Sequence, residues 1–228
     1  MTATALYLQE SADTSLISVH DINQGQIGDC FLLASIGEIA LFHASAITNM
    51  IFANPDGTET VTLHLTASGQ LPNYGTNSFQ STAVTVINTF PSNAVNCNTS
   101  EDVVNGVKEI WVQVLEKAVA TLGGGYNYIA NGGNPMIAME ELTGQSASSI
   151  APASLTLSLL QGYITAGDLL VFDTPGSGSL PYNLVNDHAY MFASVTVING
   201  TPMVQLGKSL GLQPARRHPA LPTVRRYR

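Results

Sequence analysis

The stretch Gln24-Gly25-Gln26-Ile27-Gly28-Asp29 runs directly into an apolar segment, residues 31–42, interrupted by Glu38. Within it Leu33, Ile36, Gly37 and Ala40 fall at helical spacing. A Gly-rich loop feeding such a run predicts a helix that begins near Cys30, with Asp29 as its N-cap. The run is too short to span a bilayer. No Lys or Arg precedes an apolar run at the N-terminus, so no signal peptide is expected. Export by another route, or as part of a longer polypeptide, stays open, as does a cytoplasmic place.

The rest of the chain sorts into a helical part and a β part. Residues 1–22 read as a lead-in with one short apolar run, 16–19. Asn54-Pro55-Asp56-Gly57 is a turn signal, followed by an alternating strand at 61–65 and another at 83–87. Residues 101–122 predict a second helix, with an apolar stripe from Val104 to Val119 that ends at Gly123-Gly124-Gly125. Residues 131–134 read as a loop and 135–142 as a short helix. Beyond residue 150 the reading is β: strands at 169–172, 188–198 and 203–206, with 175–181 as a loop and Asn199-Gly200 as a hairpin turn. The expected class is α+β with two lobes, a helical one over 23–148 and a β one over 149–207.

Composition narrows the function classes. Apolar residues make up 45% of the 228, enough for a core, and charged residues only 11%. Collagen, coiled coil and highly charged disorder are excluded. All 16 acids lie at or before Asp187, whereas six of the eight bases lie in residues 208–228. An acidic body argues against nucleic acid as a partner and is weakly compatible with secretion or cation binding. The basic tail reads as a different kind of sequence. Two Cys, no CxxC, no HExxH and scattered His give no structural zinc site and no disulfide framework.

Three residues carry candidate chemistry. Cys30 at a helix start meets the positive end of the helix dipole, which favours the thiolate. A Cys beside Phe31-Leu32-Leu33 is also, taken alone, an ordinary packed side chain. His188 opens an apolar strand, where its ring can face a cleft or serve structure. A distant Cys–His pair is what a thiol hydrolase needs, since His takes the thiol proton and returns it to the leaving amine. Gln24, six residues before Cys30, can supply an amide to an oxyanion, or stand solvated in its loop. Cys97 lies between Asn96 and Asn98 in a polar loop. His64 sits on the polar face of its strand, His20 and His43 have no acid or nucleophile patterned around them, and His218 lies in the tail.

Four segments, in order, resemble the calpain family of cysteine proteases. Residues 24–36, QGQIGDCFLLASI, are similar to that family's Q-G-x-x-G-D-C-W-L-L-A-x-I nucleophile segment. Residues 111–118, WVQVLEKA, are similar to its W-x-x-L-L-E-K-A helix, and Gly125-Tyr126 and Gly132-Gly133 fit the block that follows. Residues 141–144, ELTG, resemble its L-T-G segment, and Asp187-His188-Ala189-Tyr190 resembles its G-H-A-Y histidine segment. The resemblance implies a papain-like fold, a helical lobe carrying Cys30, a β lobe carrying His188 and a cleft between them. It implies Cys30 as nucleophile, His188 as general base and acid, and Gln24 with the Cys30 backbone N–H as the oxyanion hole.

The departures are specific. Phe31 stands for the usual Trp. Asp187 stands for the usual Gly and puts a carboxylate beside the His, which favours its charged form. The family's N-P-W-G, whose Asn orients the imidazole, is expected near Lys208, where the chain reads Lys208-Ser209-Leu210-Gly211. AAA-TCC-CTG-GGG encodes that tetrapeptide, and one base later the same letters read Asn-Pro-Trp-Gly. The basic tail starts at the same place, so a frameshift near Gly207 is the expectation, the β lobe is expected to be incomplete, and residues 208–228 are read as foreign to the fold. A natural basic tail is the plain alternative.

The functional expectation is a calpain-like cysteine endopeptidase acting on protein or peptide, impaired by the missing Asn. The alternatives are a non-catalytic binding or adhesion module on the same scaffold and, more weakly, a thiol acyltransferase. The chemistry requires no cofactor. Calcium enters by the family resemblance only, and no EF-hand loop is present.

Overall fold

A computed structural model describes residues 3–9, 15–91, 103–180, 184–199, 201–207, 216–218 and 223–227. Its organising element is helix α1, Cys30–Met50, kinked at His43 where φ and ψ leave the helical range. The first arm, to Ala40, is buried on every face. That burial explains why its apolar residues extend all round rather than in one stripe. The helix is long and apolar enough to cross a membrane by length and composition, but most of it is buried inside the fold.

Before and after α1 run β1 (Ala3–Ala5), β2 (Ile51–Ala53), β3 (Thr58–Thr66), β4 (Phe79–Ile87), β5 (Val103–Val104) and β6 (Val107–Glu109). Strands β2-β3-β4 form one antiparallel sheet, and β1-β6-β5 a second in which β1 pairs parallel with β6. Helices α2 (Trp111–Leu122) and α3 (Pro135–Thr143) follow, then β7 (Ala147–Ile150) and α4 (Leu157–Ala166). The chain closes with β8 (Leu169–Asp173), β9 (Ala189–Ile198), β10 (Thr201–Gly207), β11 (Arg216–His218) and β12 (Thr223–Tyr227). These join in a sheet of order β11-β10-β9-β8-β12-β7. Two stretches of the basic tail thus pair with the sheet. Arg226 binds Asp168 at 2.6 Å and stacks over the Tyr163 ring. Cys97 and residues 208–211 lie outside the described residues.

Three expectations need correction. The helix expected over 101–122 starts only at Trp111. Residues 103–109 form a hairpin because Asn105 and Gly106 both adopt the left-handed conformation that a tight turn requires. The stretch after residue 150 is not purely β. Thr156 caps α4 by accepting the Leu159 N–H, and Gly167 ends it in the left-handed region, two signals that outweighed its β-like reading. Asp29 occupies the N-cap position of α1, but its carboxylate makes no capping bond and is buried instead.

The lead-in is part of the core. Ile17 and Ile22 are buried, and Asp21 accepts the Trp111 indole N–H at 2.8 Å and the Ser18 N–H at 2.9 Å. A large core gathers α1, α2, α3 and the inner face of β8 and β9. A smaller one, around Phe172, Phe192 and Leu160, fills the opposite face of the same strands under α4. Leu169, Val171 and Ala189 belong to the first core, and Leu170, Phe172 and Tyr190 to the second. That is the alternation a two-sided strand requires.

Candidate active site

A cavity of about 570 Å³ opens between α1 and the β8–β9 end of the large sheet. Gln24, Cys30 and His188, the three candidates read from sequence, all line it. Its far wall is the loop Asn131–Pro135 with Phe31, and its β wall is Asp173, Thr174, Asp187 and Ala189.

Local backbone chemistry places Cys30. The Gly28 N–H donates to Ala130 O at 2.8 Å, and the Gly132 N–H donates to Gly28 O at 2.9 Å. A Cβ on Gly28 would meet Ala130 O and Gly132 N, both at 3.0 Å, so only glycine allows this approach. Gly133 lies against the Phe31 ring, where a Cβ would come within 2.4 Å. Asn134 then caps α3 and Pro135 fills its first turn. Lys117, in the matching helix, donates to Ile87 O at 2.8 Å and lies over the Phe90 ring, which ties α2 to the end of β4.

Cys30 is 9% exposed. Burial pushes its thiol pKa up; the Ala189 backbone N–H pulls it down, the Asp29 charge pushes it up, the Phe31 N–H pulls down and the Asp173 charge pushes up. Burial and the two carboxylates thus work against the thiolate that the helix terminus favours. Burial also raises Asp29 to about 6, opposed by Glu116 and Gln24 beside it. Gln24 donates its Nε2 to Ile27 O at 2.9 Å. Its amide is anchored from behind rather than left in solvent.

His188 is held by its backbone and its ring. The His188 N–H donates to Thr174 Oγ1 at 3.0 Å, and the Thr174 N–H donates to His188 O at 3.0 Å. The imidazole meets the Tyr190 ring edge-on, centroids 4.8 Å apart, and the Tyr190 hydroxyl accepts the Val185 N–H. Asp187 adopts φ 52°, the left-handed region that favours glycine. That backbone requirement explains why the resembling segment carries Gly there.

Sequence reading missed Thr174 and Asp173. Asp173 ends a short apolar strand and Thr174 follows it, and both become visible only when β8 pairs with β9. Among the described residues, no three His, Cys, Asp or Glu side chains gather as a metal site.

The model of the calpain family of cysteine proteases matches residues 8–210. The chain belongs to that family. Family membership makes protein the substrate class. No curated protein matches the chain.

Proposed function

We propose that the chain is a thiol endopeptidase on a papain-like, two-lobe scaffold, with Cys30 as nucleophile and His188 as general base and then acid. The observation that carries it is the shared cavity, in which the Cys30 sulfur lies against the backbone N–H that follows His188. Burial alone holds the thiol proton on, so the thiolate forms by proton transfer to a base across the cleft, as a thiolate–imidazolium pair. His188 takes the proton, the sulfur adds to the peptide carbonyl, and the imidazolium protonates the leaving amine. Water then cleaves the thioester with His188 again as base. The oxyanion forms beside the Cys30 N–H, and Gln24 joins it by turning one amide hydrogen from its anchor toward the substrate. The chemistry requires no cofactor.

The orienting Asn expected near Lys208 is absent from the sequence. Thr174 holds the His188 backbone and the Tyr190 ring packs against the imidazole, and nucleophile and base both remain, so activity is lowered rather than lost. The family match stops at residue 210, close to the change into basic sequence, which supports the frameshift reading. Sequencing the DNA of codons 200–228 tests that reading, with Asn-Pro-Trp-Gly expected in the neighbouring frame. The activity test is hydrolysis of an unfolded, fluorescently labelled protein. We expect slow cleavage that Cys30→Ala abolishes and His188→Ala lowers by roughly a thousandfold or more. Binding of that protein with no cleavage by the wild type would overturn the catalytic reading and favour a binding module.

A further inference from the structure

Glu38 is the one charged side chain in the buried arm of α1, two turns beyond Cys30. It is completely buried, and burial raises its pKa well above the ordinary carboxylate value. Its Oε1 accepts the Leu170 N–H at 2.9 Å and its Oε2 accepts the Phe192 N–H at 3.0 Å. Those two amides belong to adjacent strands, β8 and β9. The pairing of those strands runs through Asp173↔Ala189, Phe172↔Tyr190 and Val171↔Met191 and stops there. The next position is Leu170 opposite Phe192. There the strands part, and the carboxylate stands in the fork. Beside it, Gly37 lets α1 approach Met191 so closely that a Cβ would come within 2.6 Å of the Met191 methyl.

For stability alone, a buried carboxylate without a cation is a poor choice, since an apolar side chain avoids the desolvation cost. What Glu38 supplies is two acceptor oxygens at a fixed separation, on the helix that carries the nucleophile. The strands it grips are the ones that carry the histidine: β8 leads directly into Thr174, which holds the His188 backbone, and β9 begins at the residue after His188.

We infer that Glu38 is a positioning residue: its carboxylate bridges the β8–β9 fork and thereby fixes the register of His188 against Cys30. This rests on the Cys30–His188 reading above. A shift of about 1 Å between two reacting groups lowers rates by roughly a hundredfold.

The test uses the full 228-residue chain carrying Cys97→Ser, so that one thiol remains. The rate of alkylation by iodoacetamide is followed from about pH 4 to pH 9, with circular dichroism as the check on folding. A Cys–His ion pair gives a reactive shoulder below the ordinary thiol range of about 8.5. In Glu38→Gln, which keeps the shape and one acceptor, we expect a folded protein whose shoulder falls by about 10- to 100-fold, with the ordinary thiol limb unchanged. A general loss of stability would not move the shoulder of the folded protein in this way. A folded Glu38→Gln with the wild-type profile overturns the proposal. Should it fail to fold, Glu38→Asp, which keeps the carboxyl group one methylene short, takes its place under the same criteria. Failure of both to fold also overturns it, because Glu38 is then a requirement of the fold and not of the alignment. No shoulder in the wild type would instead overturn the Cys30–His188 reading itself, and the proposal with it.

Discussion

The two walls of the cleft are built differently. The cysteine wall is built from main chain: Gly28, the 130–133 loop far along the sequence and the start of α1 lock together through backbone bonds within one large core. The histidine wall is assembled from afar. Its strands separate a smaller core from the main one, its fork is closed by a side chain of α1, and Asp187 takes a backbone conformation better suited to glycine. The first wall places the nucleophile by backbone bonds, and the second places the base with side chains, Thr174 and Tyr190 beside it and Glu38 from α1. Function then depends on the weaker wall being held against the stronger.

The largest expected effect breaks the cysteine side. Trp111→Ala removes a fully buried indole and leaves Asp21, itself buried, with one donor fewer. A loss of about 3–5 kcal/mol is expected, measured by urea unfolding, and that is a large share of a domain's stability. Gly28→Ala comes next. Its Cβ meets backbone on both sides, so the loop must shift, at a cost of roughly 1–3 kcal/mol. We expect hydrolysis to fall further than the melting temperature suggests, because the loop carries the cleft wall.

The third effect is a pH dependence that belongs to the cysteine side. Glu141 is buried and accepts the Tyr128 hydroxyl at 2.6 Å, and burial raises its pKa from 4.5 to about 7. The folded state therefore holds a proton that the unfolded state has lost through that window. Stability falls as pH rises from about 4.5 to about 7 and levels off above, by about 1–3 kcal/mol. Glu141→Gln, which keeps an acceptor for Tyr128, should flatten this part of the melting-temperature profile. The smallest effect sharpens the histidine side. Asp187→Gly relieves a left-handed residue and should add up to about 1 kcal/mol, read as a small rise in melting temperature.

Much of the cysteine wall was legible in the sequence because its signals are local. The Gly-rich loop, the start of α1 at Cys30 and the cap and stop of α3 all appear where residue types demand them. The kink at His43 falls one residue past the expected helix end. What stayed hidden depends on partners distant in sequence. Glu38 read as an interruption in an apolar run, since nothing nearby shows that its acceptors meet Leu170 and Phe192. Asp21 in the lead-in gave no sign of its indole partner ninety residues away. The 103–109 hairpin was masked by valines that also fit a helical stripe. The upward push of burial on the Cys30 thiol was hidden because local sequence does not report desolvation.

The most direct test of the nucleophile is to label the full chain with a thiol-directed peptidyl electrophile and to locate the adduct by mass spectrometry. The adduct is expected on Cys30, with little on Cys97, and its rate of formation should fall sharply in His188→Ala. Equal labelling of Cys30 and Cys97, indifferent to His188, would contradict the assignment of a Cys–His protease centre to this cleft.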